Sequence, residues 1–194
     1  MAAHPSGKLL VISGPSGAGK TSICDALLKR LPRARWSVSV TTRARRGREV
    51  DGEHYRFVSP EEFARMAAGD EFLETADYLG NLYGTPRKPA EEAVAAGQIV
   101  ILEIEVQGAA QVKQRMPDSV RIFVLPPTME TLKARLEGRQ TESEDLQTKR
   151  LAEADGEIAF AQTGGCFQYF ITNDILDGSV NRVIEIIEQE TQKA

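Results

Sequence analysis

The chain has 194 residues, with 24 Lys and Arg against 28 Asp and Glu for a formal net charge of −4, and 41% of its residues are apolar. That length suits one domain with its own core, and 27% charged residues with a mean hydropathy of −0.30 describe a globular protein rather than a disordered one. The acidic balance argues against general coating of nucleic acid, which requires a basic surface.

In chain order, Met1–Lys8 has no apolar stretch of signal-peptide length. Lys8–Ser13 is a short apolar run ending in a glycine-rich turn and reads as a buried strand. Ile23, Ala26, Leu27 and Leu31 recur at helical spacing, and Pro32 stops that helix. From Ser37 to Pro89 the rhythm breaks into short alternating pieces such as Tyr55–Val58, and Ser59-Pro60-Glu61-Glu62 has the pattern of a capping box with Glu62 reaching back. Ile99–Ile104 and Arg121–Leu125 are β-branched runs that each lead into a helical pattern. Thr128–Gly156 is a second, highly charged insertion; Tyr169–Thr172 then reads as the last strand, before an amphipathic helix marked by Val180, Val183, Ile184 and Ile187. Strands separated by helices favour an α/β core with a parallel sheet covered on both faces.

None of the apolar runs is long enough to cross a bilayer. Cys24 and Cys166 fit no redox or paired-metal spacing and read as buried thiols, and two His are too few for a histidine-rich metal site. A reducing cytoplasm is the expected compartment.

The chemistry is carried first by Gly14-Pro15-Ser16-Gly17-Ala18-Gly19-Lys20-Thr21, which matches G-x-x-x-x-G-K-[ST] in full. The glycines let backbone N–H groups turn inward around phosphate oxygens at the positive end of the following helix. Lys20 is placed to reach the β- and γ-phosphates, and Thr21 to ligate Mg²⁺. A strand before and an amphipathic helix after supply the context that a nucleoside triphosphate site needs. The motif leaves the phosphate acceptor open. Ser39, Thr41, Thr42, Arg43 and Arg46 form a polar, cationic cluster, with Tyr55 and Tyr83 further on. A solvated arginine loop and an RNA-contacting patch are alternative readings, but guanidinium forks beside hydroxyls in an acidic protein suit a small phosphorylated acceptor better.

These features resemble the guanylate kinase family. The resemblance rests on the P-loop, Ser37-Val38-Ser39-Val40-Thr41-Thr42-Arg43, Gly52-Glu53-His54-Tyr55, Glu74 and Asn81-Leu82-Tyr83-Gly84-Thr85. It continues through Leu102–Gly108, Arg135–Arg139 and Lys149-Arg150-Leu151, in order over nearly the whole chain. It implies a three-layer P-loop core (residues 1–36, 90–127 and 157–194), an inserted mixed-β subdomain for the nucleoside monophosphate (37–89) and a helical lid (128–156). It also implies transfer of phosphate from ATP to GMP, and to dGMP, with Mg²⁺, within purine nucleotide metabolism.

By that resemblance, Gly14 through Thr21 and Asn173 bind ATP. Arg43, Arg46, Tyr55 and Tyr83 hold the GMP phosphate, while Ser39, Glu74, Thr85 and Glu105 read the guanine. Lys20, Arg43, Arg135, Arg139 and Arg150 act on the transferring group, and Glu103 joins Thr21 at the metal through water. Glu74 also has its own physical reason: a carboxylate accepts from guanine N1–H and N2–H₂, which adenine lacks. Departures from the family pattern occur at Glu105, Gly47-Arg48 and Gln140. The expected partners are small molecules, with neither nucleic acid nor membrane. The cations are expected to converge on one cleft and the excess acid to lie elsewhere. A non-catalytic guanylate-kinase-like module and a kinase for a ribose bisphosphate remain the competing readings, with an intact Lys20 against the first and Glu74 against the second.

Overall fold

The structure, a computed structural model, describes residues 7–78, 80–137 and 144–193, without the side chains of 144–149. Its elements are β1 (Lys8–Ser13), α1 (Lys20–Arg30), β2 (Ala34–Trp36), β3 (Val40–Thr41), β4 (Arg56–Phe57), α2 (Pro60–Ala68), β5 (Phe72–Tyr78) and β6 (Asn81–Pro86). There follow α3 (Arg87–Ala95), β7 (Ile99–Glu103), α4 (Val106–Arg115), β8 (Val120–Leu125), α5 (Met129–Glu137), α6 (Glu144–Thr163), β9 (Tyr169–Thr172) and α7 (Leu176–Gln192).

The main sheet has five strands in the order β2-β7-β1-β8-β9, every pairing parallel. Strand alternation explains its burial on both faces. Leu10 and Ile12 of β1 pack with Ile23 and Leu27 of α1 and Val180 and Val183 of α7. Leu9 and Val11 face the other way, against Ala90 of α3, Val106 and Ala109 of α4, and Ala161 of α6. Each such Leu, Ile or Val side chain contributes roughly 1.5–3 kcal/mol by leaving water. The crossover helices thus cover both faces of an α/β P-loop core, as the alternation of apolar runs foretells.

A second sheet, ordered β4-β3-β6-β5, stands apart from the first. It is mixed: β3 pairs parallel with β4, while β3–β6 and β5–β6 are antiparallel. Its small core joins Val40, Phe63, Met66 and Phe72, with the Phe63 and Phe72 rings stacked 4.6 Å apart. Half of the expected capping box forms, since Ser59 Oγ accepts from the Glu62 N–H at 3.1 Å. The Glu62 carboxylate does not turn back; Arg56 takes it at 2.7 Å, a charged partner outcompeting a neutral amide.

The segment read as a lid contains α5 and the first half of α6, packed through Leu132, Leu136, Ala154 and Leu151. Helix α6 runs on through Gly156 and buries Ala161 in the main core, so one rod joins the inserted segment to the core. Among the described residues, no helix is long and apolar enough to cross a membrane.

Candidate active site

The loop after β1 enters α1 through Gly19, whose left-handed φ of 92° forms the cap without a side-chain bond. A Cβ there would collide with the Asn173 amide, so only glycine lets that side chain lie across the loop. Asn173 Nδ2 donates to Ala18 O at 2.8 Å, while its Oδ1 is buried without a hydrogen-bond partner. Lys20 Nζ donates to Gly14 O at 2.6 Å and Pro15 O at 3.1 Å, holding the ammonium inside its own loop. Burial lowers the Lys20 pKa, against the opposing pull of Glu103 and Glu157. Thr21 Oγ1 donates to Glu103 Oε1 at 2.9 Å, joining the N-terminus of α1 to the C-terminal end of β7. These hard oxygen donors are the type Mg²⁺ takes, and two protein groups leave room for waters and phosphates.

Helices α5 and α6 reach the same loop. Arg150 Nη1 on α6 donates to Ser16 Oγ at 3.0 Å, and Arg135 Nη2 on α5 donates to Asn173 O at 3.1 Å. Arg135, Asn173, Gly17, Gly19 and Leu176 line a separate small pocket of about 290 Å³. Arg139, like Gln140, lies outside the described residues.

Across from the loop, the second sheet brings together Arg43, Tyr55 and Tyr83. The Arg43 guanidinium lies 5.4 Å from the Tyr55 ring centroid, and the two tyrosine rings meet edge-on at 6.0 Å. Glu74 Oε1 accepts from Thr85 Oγ1 at 2.7 Å; both residues are buried, and burial pushes the Glu74 carboxyl above the usual range. Antiparallel pairing of β5 with β6 puts these two directly opposite each other.

Between the two ends lies a cleft of about 970 Å³. Gly14, Ser16 and Lys20 line one end, and Ser39, Tyr55, Glu103 and Glu105 are also on its wall. Glu74 and Thr85 sit deeper, inside the second sheet. The expectation that acid lies away from the cations is wrong. Glu49, Glu53, Glu153 and Glu157 line this cleft with Glu103 and Glu105, beside Lys20 and Arg150. Buried cations need nearby countercharge, and that requirement draws carboxylates to them.

A family model described as guanylate kinase matches residues 6–190. The chain belongs to the guanylate kinase family. It is 47% identical to a guanylate kinase from Synechocystis sp., over 95% of each chain. With a guanylate kinase from Desulfitobacterium hafniense it shares 48% identity, over 95% of this chain and 90% of that relative. The crystal structure of guanylate kinase from Anaplasma phagocytophilum superposes with a TM-score of 0.75 at 34% identity, covering 96% of this chain and 87% of the other.

Within this guanylate kinase fold, sequence reasoning passed over Glu49, Glu153 and Glu157. The last two share a face of α6 with Arg150 and Ala154, at positions i, i+3, i+4 and i+7, a spacing that could have found them. Glu49 carries no such periodic signal. It sits in an irregular turn, and only folding reveals that its partner is Arg43.

Proposed function

We propose that this cleft transfers the γ-phosphate of ATP to GMP, giving ADP and GDP, and that dGMP serves as an acceptor too. The observation that carries the reading is one cleft with a P-loop at one end and Ser39, Tyr55 and Glu105 on its walls. The triphosphate would lie in the loop from Gly14 to Thr21, with Pro15, Gly17 and Ala18 contributing backbone, Ser16 a hydroxyl and Lys20 its charge. Asn173, with its orphaned buried Oδ1, suits the adenine edge, where an amino group would satisfy it. Arg43, Arg46, Tyr55 and Tyr83 would bind the acceptor phosphate, and Ser39, Glu74, Thr85 and Glu105 the guanine.

Thr21 and Glu103 would hold Mg²⁺, which when bound would offset charge on the phosphates. Arg135, Arg139 and Arg150 would neutralise charge on the transferring group and exclude water as the lid closes. No general base is needed, because the acceptor phosphate, with a second pKa of about 6, is already largely ionised at neutral pH. Positioning and charge neutralisation then supply the catalysis. The same proposal includes a purine-nucleotide role in a reducing cytoplasm, a compartment that suits two free, buried cysteines.

The test is ADP release from ATP and Mg²⁺ with GMP, AMP, CMP, UMP or a ribose bisphosphate in turn. The expected kcat/KM for GMP exceeds that for AMP by about 100-fold or more, as a hydrogen-bonding pocket rejects a ligand lacking the donors. Absence of turnover with GMP overturns the proposal.

A further inference from the structure

Arg43 and Arg46 are the two cations assigned above to the acceptor phosphate, and a single carboxylate ties them together. Glu49 Oε1 accepts from Arg43 Nη2 at 2.7 Å and Oε2 from Nη1 at 3.1 Å. Oε2 also accepts from the Arg46 backbone N–H at 2.7 Å. The Glu49 N–H returns a bond to Arg46 O at 3.0 Å, closing a turn in which Gly47 takes a φ of 46°. One side chain therefore fixes Arg43 by its fork and Arg46 by its main chain. The Gly47-Arg48 departure keeps a tight turn, with the left-handed position filled by glycine.

The hydrogen-bond inventory of Arg43 gives this geometry a consequence. A guanidinium has five N–H groups in a rigid plane. Nη1 spends both on Glu49 and Ala44 O (the latter at 2.8 Å), and Nη2 spends one on Glu49. What remains is Nε–H and one Nη2–H, adjacent along one edge, the arrangement that grips two phosphate oxygens. Tyr83, assigned above to the same phosphate, neighbours Arg43 as well. Tyr55 and Phe57 lie side by side against the guanidinium, 5.4 and 5.8 Å from its carbon to their ring centroids.

We infer that Glu49 is a positioning residue for the acceptor phosphate: it clamps the end of Arg43 and the backbone of Arg46, so that the free edge of Arg43 meets the phosphate beside Tyr83. The inference rests on the GMP reading above. Its electrostatic cost is a negative charge near a phosphate site. Its benefit is that a four-bond side chain no longer has to be ordered when the acceptor binds, and pre-ordering of this kind is what raises affinity. Glu49 remains ionised at any working pH, because Arg43 first and the Arg46 amide second hold its carboxyl down to about 2.

The test compares GMP with guanosine, which keeps the base and lacks the phosphate, on the full-length protein. Glu49→Gln is expected to raise the KM and the calorimetric Kd for GMP about tenfold, with the KM for ATP and the inhibition constant of guanosine moving less than about twofold. Glu49→Asp, which keeps the charge, should recover part of the loss. In an Arg43→Ala background, measured by binding rather than turnover, Glu49→Gln should add less than about twofold, since Glu49 acts through Arg43. Equal weakening of GMP and guanosine, an undiminished effect without Arg43, or tighter GMP binding on charge removal would each overturn the inference. If the unaltered protein phosphorylates GMP while Glu49→Gln changes nothing, this inference alone fails; if it does not phosphorylate GMP, the functional reading beneath it fails.

Discussion

Glu74 is placed by two residues from other elements, Thr85 on β6 and Gly108 on α4. Thr85 donates to its Oε1 at 2.7 Å from the neighbouring strand. Gly108 on α4 gives it room, since a Cβ there would stand 3.0 Å from Oε2 and 3.4 Å from Ile104 Cδ1. In an exposed helix Gly→Ala adds about 1 kcal/mol of stability; here the added methyl presses on a carboxylate already fixed by Thr85. Gly108→Ala is therefore expected to raise the KM for GMP about tenfold while leaving the KM for ATP and the melting temperature close to those of the unaltered protein. Steady-state kinetics with both substrates varied, beside a thermal melt, check it; an unchanged KM for GMP would show that the carboxylate has space to spare. The P-loop could be recognised from its spacing alone. Glu74 stood out only through its resemblance to a family position, because a glutamate on a short polar strand has no local mark. Glu49 had neither signal.

Helix α6 shows how one element can carry two jobs. Its cleft face presents Arg150, Glu153 and Glu157, while Ala161 anchors it in the core. Burial lifts the Glu157 carboxyl from 4.5 to about 7, against the attraction of Lys20. The folded state thus binds this proton more tightly than the unfolded chain. No penalty exists below about pH 4.5; it grows as pH rises through about 7 and is complete above that. Solvent screening of a partly exposed group reduces it to about 1 kcal/mol. Glu157→Gln removes it, so the ligand-free variant should melt about 2–4 °C higher at pH 8 and no higher at pH 4.5. A gain of equal size at both pH values would contradict the assignment. The elements legible in the sequence, β1, β7, β8 and α7, bury apolar residues continuously or at helical spacing, while β9 is legible from its apolar run although only Ile171 of it is buried. Those passed over had weaker patterns. β2 is three half-exposed residues, and β5 and β6 carry Glu74, Asp77 and Asn81 in place of clean alternation. Helix α3 begins Arg-Lys-Pro, which reads as the end of a loop until Pro89 is seen within the first turn.

At the scale of the whole molecule, a formal charge of −4 excluded a polyanion-coating surface without revealing where the charges gather. The fold gathers both signs in one place. Six carboxylates share the cleft wall with Lys20 and Arg150, and Arg43 is neutralised by Glu49 before any ligand arrives. Such a cleft does not attract phosphate by bulk charge; it selects through a few fixed donors, with the rest of the field balanced. The parallel sheet makes this possible by delivering the ends of β1 and β7 to one side, where insertions before β7 and after β8 can meet over them. The most direct test of phosphate transfer within this cleft follows the label from γ-³²P-ATP in the presence of Mg²⁺ and GMP. Label is expected in GDP, dependent on GMP, and reduced by a factor of about 100 or more in Lys20→Ala. Label appearing only as inorganic phosphate, or entering GDP equally well without the Lys20 ammonium, would contradict it.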